Sequence, residues 1–318
     1  MMAKYIVKRL LQSLVTILLV TSVVFLLLTL MPTDYFFTED ELMKLTEEQK
    51  NDRLEAAGLL DPPLVQLGNF LKKLILDGDL GVSRKLEKNK PVIDVISSKF
   101  AVSMRIGLIA LGIALVIGVV IGILQARFKG GWLDRIGTGY TVFINAVPSL
   151  VSYSLILAFG SRVLGLPSLY SARKPEISSV LPIICLALGS IASYMLWMRR
   201  YMVDELNKDY IRLAKLKGLS TTSVMFKHVM RNAFVPLAQY LPYNVLLTVG
   251  GSLLVESFFS VPGMGKILTN AISRYDINVV MGCTLLYASL GILGVFLGDL
   301  LMGVFDPRIR LTGKGETR

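Results

Sequence analysis

Metal, nucleophilic and acid–base chemistry is most often carried by histidine, cysteine and paired carboxylates, and this sequence offers few of them at useful spacing. His228 is the one histidine, and Cys185 and Cys283 are the two cysteines. Both thiols fall in apolar runs, where cysteine acts as a small packed hydrophobe. That leaves little material for a metal site or a disulfide framework. There is no Ser-His-Asp set, no carboxylate pair within an apolar run, and no lysine there for a Ser-Lys pair. A Gly-x-x-x-x-Gly-Lys-Ser/Thr phosphate loop is also missing. The most informative spacing lies in 199–231 instead. Asp209 to Lys217 reads as a short helix ended by Gly218, and Ser220 reads as the N-cap of the next one. Lys208, Arg212 and Lys215 lie on one side, with a smaller apolar side of Tyr210, Leu213 and Ala214. Such a helix can be a lever docked in a groove of a soluble partner or an interfacial helix drawn to anionic lipid. Charge and periodicity alone tilt toward the lipid.

The segments that must position these residues are strongly apolar. Of 318 residues, 53% are hydrophobic and 18% charged, with a mean hydropathy of +0.60. Soluble chains carry about 25% charged residues. Here the apolar excess comes in blocks, which excludes disorder, a fibrous repeat and an ordinary soluble globule. A helix crossing roughly 30 Å of hydrocarbon needs about 20 apolar residues. Six uncharged runs qualify: Leu10–Met31, Ile106–Leu124, Ile136–Ser161, Ile177–Met198, Asn232–Val255 and Ile277–Gly298. None alternates with period two as a membrane barrel strand would, so an all-helical membrane protein of six spans is expected. Lys4, Lys8 and Arg9 before the first run resemble the start of a secretory leader. The run is too long for one, and Leu30-Met31-Pro32 is no small-residue cleavage site, so it reads as a retained span.

Basic residues set the orientation. With the amino terminus inside, segments 1–9, 125–135, 199–231 and 306–318 hold 18 Lys+Arg and 6 Asp+Glu, whereas the short opposite loops 162–176 and 256–276 hold 5 Lys+Arg. That bias predicts both termini in the cytoplasm. It also accounts for the net charge of +11 without nucleic acid. The chain then divides into a tail and first span (1–31), an extracytoplasmic helical loop (32–100), a core of spans (101–305) with the loop 199–231, and a cytoplasmic tail (306–318). In the outer loop, Thr46 and Gln49 spell a capping box and Gly58 a helix end. Asp61-Pro62 reads as an N-cap followed by a first-turn proline, and Leu64, Leu67, Leu71, Leu74 and Ile75 keep helical spacing up to Gly78. This subdomain is a docking surface, a lid or a plain structured loop.

Polar residues within spans are functional candidates by default. Asn145, Pro148 and Ser149 sit midway along the third run, and Asn244, Thr248, Gly250 and Gly251 at a similar depth in the fifth. They are candidate pathway-lining residues, with polar packing between helices as the alternative. Glu256 and the turn carrying Pro262 and Gly263 are a candidate external gate, the alternative being an ordinary turn. Arg105, Glu256 and Asp299 lie near span ends, where a charge reaches the interface at low cost. Gly118-x-x-x-Gly122 and Gly294-x-x-x-Gly298 mark helix contacts. Ion-coupled carriers and channels carry ionisable residues or filter rings in their spans, and these runs carry almost none.

Asp209-Tyr210-Ile211-Arg212-Leu213-Ala214-Lys215-Leu216-Lys217-Gly218-Leu219-Ser220, continued by His228-Val229-Met230-Arg231-Asn232-Ala233-Phe234-Val235-Pro236, resembles the cytoplasmic "EAA" loop of ABC-type importer permeases in its dipeptide/oligopeptide/nickel branch. Tyr5–Leu10, Gly78–Ser83, Pro91–Ile93, Val255–Gly265 and Asp306–Arg310 resemble that branch too, in order along nearly the whole chain. The long loop after the first span resembles the first-type permease of the pair. Arg212-Leu213-Ala214 departs from the general Glu-Ala-Ala pattern, so an acidic contact at that first position does not carry over. The resemblance implies a type I importer permease fold in the bacterial cell membrane and a non-catalytic role in importing short peptides, with nickel or a metal chelate as the alternative cargo. It implies a homologous second permease, two ATPase subunits that bind ATP and Mg, an extracytoplasmic solute-binding protein and surrounding lipid. This chain itself would bind no cofactor or metal. Asp209, Tyr210, Arg212, Ala214, Lys215, Lys217, Gly218, Leu219, His228, Arg231 and Asn232 would couple it to the ATPase.

Overall fold

Backbone amides in lipid must be paired within their own segment, and the computed structural model, which describes residues 2–31, 33–37 and 39–305, is helical nearly throughout. Helix α1 (Met2–Leu28) leads into the short helices α2 (Glu39–Lys44), α3 (Glu47–Ala56) and α4 (Pro63–Leu76). A small antiparallel hairpin, β1 (Val82–Ser83) with β2 (Lys90–Pro91), pairs Val82 with Pro91 and hands over to α5 (Val92–Arg127). Then come α6 (Trp132–Ala146), α7 (Ser149–Arg162), α8 (Pro175–Ser178) and α9 (Val180–Leu206). The following loop carries α10 (Asp209–Leu216), α11 (Thr221–Val224) and a π turn over Met225–Val229, and runs into α12 (Met230–Val249). Helices α13 (Leu253–Phe258), α14 (Met264–Ser273) and α15 (Ile277–Phe305) complete the described chain. The Asp306–Arg310 motif and the 306–318 tail lie outside the described residues, as does Pro32 of the Leu30-Met31-Pro32 reading.

Among the described residues, four helices are long and apolar enough to cross a membrane: Ile6–Leu28, Val92–Arg127, Pro175–Leu206 and Ile277–Leu301. The third expected span is not a straight helix. Its run splits into α6 and α7, with a bend of 111° between them. Pro148 has no N–H to give and disfavours helical backbone at the residue before it, and Val147 is accordingly extended (ψ 129°). The pair is either one broken span or a re-entrant loop. The fifth run also stops early. Helix α12 tolerates Pro236 and Pro242 but ends at Val249, where Gly251 takes φ +92° and turns the chain toward α13.

Close packing of the long helices follows the small-residue spacing. A Cβ on Gly118 would sit 2.8 Å from Tyr194 Cβ, and one on Gly122 would sit 2.8 Å from the Met195 carbonyl oxygen, so α5 lies directly on α9. Gly294 and Gly298 bring α15 equally near to α12, with a Cβ on Gly298 only 2.4 Å from the Gln239 carbonyl oxygen. Charged residues near span ends find partners. Arg199 grips Asp134 through Nε (2.5 Å) and its second nitrogen (2.8 Å), and the Gly130 N–H adds a third bond to that carboxylate at 2.9 Å. Asp299 pairs with Arg9 (3.2 Å), and Arg105 with Glu176 (3.2 Å).

In the 32–100 loop, Gln49 N–H donates to Thr46 Oγ1 and Gln49 Oε1 accepts from Thr46 N–H, the capping box in both directions. Gly58 turns with φ +67°. Helix α4 begins one residue later than expected: Pro62, not Asp61, is its cap residue. The Asp61 carbonyl instead accepts from Gln66 Nε2 (2.8 Å), which also bonds the Leu59 carbonyl (2.9 Å).

Candidate functional site

Segment 205–232 is built around a buried carboxylate. Helix α9 continues past Met198 to Leu206, which brings Glu205 into the protein at 6% exposure. Its carboxylate accepts from Tyr210 Oη and from Asn232 Nδ2 (3.0 Å) and pairs with Lys208 Nζ (2.6 Å). Asn232 Nδ2 also reaches Tyr210 Oη at 2.8 Å. The end of α9, the start of α10 and the start of α12 thus share one polar knot. Burial, then the adjacent Glu205 carboxylate, push the Tyr210 hydroxyl up to about 12.

Helix α10 is anchored by Ile211 and Ala214, both buried in a cluster with Met202, Val224, Met225 and Val229. The expected apolar side of Tyr210, Leu213 and Ala214 is therefore corrected. Ala214 packs inward with Ile211, whereas Leu213 is 53% and Leu216 84% exposed. Helical phase explains this: 211 and 214 share one face, and 209, 212, 213 and 216 share the other. Asp209 and Arg212 are solvent-exposed and pair weakly at 3.5 Å, and Lys215, Lys217 and Arg231 are exposed as well.

The helix ends in a Schellman turn. Leu219 N–H bonds the Ala214 carbonyl (3.3 Å) and Gly218 N–H the Lys215 carbonyl (3.0 Å), with Gly218 at φ +80°. That left-handed position is open to glycine at no steric cost. Ser220 Oγ then accepts from Ser223 N–H (3.3 Å) as the cap of α11. His228 lies half-buried in the π turn, where Met230 N–H bonds the Met225 carbonyl.

The break between α6 and α7 opens a cavity of about 700 Å³ against α9 and α12. Ser149, Ser152, Tyr194, Trp197, Tyr240 and Asn244 are on its wall, and no Asp, Glu, Lys or Arg is among the described residues that line it. Asn244 Nδ2 donates to Tyr194 Oη at 3.1 Å. Of the residues singled out in the spans, Ser149 and Asn244 meet here. Asn145 turns back to its own helix, bonding the Thr141 carbonyl (2.8 Å). Pro148 forms the corner between α6 and α7. Thr248 lies against Gly107 of α5. The wall can offer hydroxyl and amide hydrogen bonds and aromatic faces.

Glu256 does not reach an interface. It is 4% exposed, accepting from Ser103 Oγ (2.6 Å), Gly265 N–H (2.7 Å) and Ser252 N–H (3.3 Å). Ser103 Oγ accepts in turn from Met264 N–H (2.8 Å). The carboxylate thus sits on the N-terminus of α14, where helix dipole and free N–H groups favour negative charge. Gly263 lets this cluster close, since a Cβ there would lie 2.4 Å from Ser103 Oγ, while Pro262 is exposed beside it. Spacing missed a comparable clasp. Asp276 Oδ2, buried just before α15, accepts from Ser83 Oγ (2.6 Å) and from the N–H groups of Arg84, Lys85 and Leu86 (2.9–3.1 Å). Glu205 was equally unmarked in the sequence; its three-residue spacing to Lys208 was the available signal.

Residues 118–311 match the family model described as "Binding-protein-dependent transport system inner membrane component". The chain is similar to the dipeptide transport system permease protein DppB of Bacillus subtilis, 35% identical over 99% of this chain and 100% of that protein. It is 34% identical to the DppB of Lactococcus lactis over 98% of this chain and 100% of the relative. The oligopeptide transport system permease protein OppB of Haemophilus influenzae is 32% identical, over 97% of this chain and 100% of its own length.

Proposed function

This chain belongs to the family of binding-protein-dependent transport system inner membrane components, and on that premise we propose that it is one of two permease subunits enclosing the passage of an ATP-driven importer of short peptides. In this reading six crossings, counting α6–α7 and α12, place both termini in the cytoplasm. A homologous permease completes the passage, a solute-binding protein delivers peptide from outside, and two ATPase subunits bind ATP and Mg below. The chain performs no catalysis of its own.

One observation carries the coupling role: α10 is rooted on one face and exposed on the other. Ile211, Ala214 and the Glu205 knot fix it to α9 and α12, while Leu216 and Leu213 project beside Arg212 and Lys215. A helix held this way transmits a push on its tip to two long helices with little loss. The projecting leucines provide the apolar anchor of a helix-in-groove contact, and the rim charges tune association rate and specificity. Closure of the ATPase pair moves α10, and the α9–α12 walls of the 700 Å³ cavity move with it. The cavity's hydroxyls, amide and aromatic faces suit a peptide, whose main chain both donates and accepts.

The test is a pair of variants in the co-expressed complex. Leu216→Glu places a charge in the groove contact, and Gly218→Val forces a β-branched residue to positive φ at a cost of about 1 kcal/mol or more. Both are expected to reduce ATPase co-purification and peptide uptake while membrane insertion persists. Uptake and co-purification at wild-type levels in Leu216→Glu would refute the coupling role of α10.

A further inference from the structure

Helix α4 has 14 residues and buries none of them, although it is strongly apolar. Leu67, Phe70, Leu71 and Leu74 are half-buried, and Phe70 stacks on Phe25 of α1 with ring centroids 5.0 Å apart. The flank of this stripe is bare: Leu64 is 73% exposed and Ile75 68%. At about 100° per residue, Leu64, Gly68 and Ile75 fall within about 40° of one another, beside Leu71 and about 90° round from the centre of the half-buried stripe, with Lys73 roughly opposite them. The two bonds from Gln66 to the Leu59 and Asp61 carbonyls hold the helix start in place, so the bare line keeps its direction.

The depth of α4 follows from α1. The apolar stretch Ile6–Leu28 has 23 residues, about 35 Å at ~1.5 Å per residue, just enough for roughly 30 Å of hydrocarbon. Phe25 is therefore about 4.5 Å along the axis from the Leu28 end, near the edge of the hydrocarbon, and Phe70 stacked on it brings its turn of α4 to that level. Of the most apolar 18 residues of α1, only 6% are buried within the protein. Leu27 (59% exposed) and Leu30 (78%) carry that exposed apolar surface to the end of α1 and just past it.

We infer that the Leu64–Gly68–Ile75 face of α4 lies in the bilayer at the boundary between headgroups and acyl chains, as an in-plane interfacial helix continuous with the lipid surface of α1. Such a helix sinks its apolar face several ångströms into that boundary and keeps its polar face in water. Lys72, on the flank, extends its stem along the apolar surface with the ammonium among headgroups, while Asn69 and Lys73 face water. The assignment needs only that α1 spans the membrane. It is independent of peptide transport and of which side faces out.

Spin labels on Leu64→Cys, Gly68→Cys and Ile75→Cys, with Lys73→Cys as reference, test it in the full chain reconstituted in phosphatidylethanolamine–phosphatidylglycerol vesicles. The native cysteines are buried, and a Cβ at Gly68 meets nothing within 4 Å. The expected result is a ratio of oxygen to water-soluble nickel-chelate collisions several-fold higher at 64, 68 and 75 than at 73. A ratio equal to that at 73 overturns the inference in favour of a water-exposed face. Shielding from both reagents overturns it in favour of a protein partner, such as a solute-binding protein or a second permease.

Discussion

Glu205 is the residue on which the α10 segment depends. A buried carboxylate persists only when its charge is hydrogen-bonded or paired, and Lys208, Tyr210 and Asn232 supply that here. Hydrogen bonds to charged groups are worth about 1.5–3 kcal/mol, so Glu205→Ala is expected to lower thermal stability in detergent by roughly that amount and to loosen α10. Glu205→Gln, which keeps the shape, should cost less. Tyr210 adds a pH dependence of known sign. Its neutral hydroxyl is the donor, and its pKa is raised from 10.0 to about 12, by burial first and Glu205 second. The stability it contributes is whole below pH 10 and lost as pH climbs through about 12. The difference in melting temperature between wild type and Tyr210→Phe should stay flat from neutral pH to 10 and shrink above it. A difference that vanishes near neutral pH contradicts the assignment. Tyr210 and Asn232 are readable through a motif, whereas Glu205 is hidden because Arg199 and Arg200 end the uncharged run at Met198. Charge ends an apolar run in sequence, but not the helix: α9 runs on to Leu206 and carries Glu205 under the start of α12.

At the scale of elements, the contact of α5 with α9 is a strict constraint. A side chain at Gly122 would meet the Met195 backbone oxygen at 2.8 Å and Met198 Cβ at 2.8 Å, and backbone cannot swing aside as a flexible side chain can. Gly122→Leu is therefore expected to force the two helices apart and cost about 1–3 kcal/mol. Gly112→Leu, on the same helix with open space around it, should be near neutral. Equal melting temperatures for the two variants would refute the packing constraint at Gly122, since helix propensity favours leucine over glycine at both positions. The Gly-x-x-x-Gly spacing announced a helix contact but not which helix answers it, since the partner is set by the whole fold. The same limit applies to the broken third run. Pro148 announces an interruption through its missing N–H, but the 111° between α6 and α7 depends on the extended backbone of Val147 and on neighbours such as Tyr140, whose hydroxyl bonds the Leu188 carbonyl of α9 (2.9 Å). Where local chemistry decides, as in the Thr46–Gln49 capping box and the Gly218 turn, spacing and structure agree.

For the whole molecule, the contacts sort helix ends into two sets. Arg9, early in α1, meets Asp299, late in α15. Asp134, at the start of α6, meets Arg199 toward the end of α9, and Glu205 meets Asn232 at the start of α12. Each pair joins the start of one helix to the end of another, as antiparallel neighbours with ends on one side of a membrane must. A second set joins Ser83 to Asp276 before α15, Ser103 to Glu256, and Arg105 to Glu176. The internal alternation thus rests on named ion pairs and hydrogen bonds, and only the choice of side is left to charge. The first set belongs to segments rich in Lys and Arg, with 18 of them against 6 acidic residues, whereas the 32–100 loop is nearly balanced at 10 against 13. Basic residues are retained on the cytoplasmic side, so a reporter fused after Ser220 should read cytoplasmic and one inserted near Leu60 should read external. Because the two positions belong to opposite sets, they must disagree. The same reading at both would break the alternation itself, and an exact exchange of the two readings would keep the fold but reverse its orientation. In that case α10 would face away from ATP, and its exposed Leu213 and Leu216 would need a different partner.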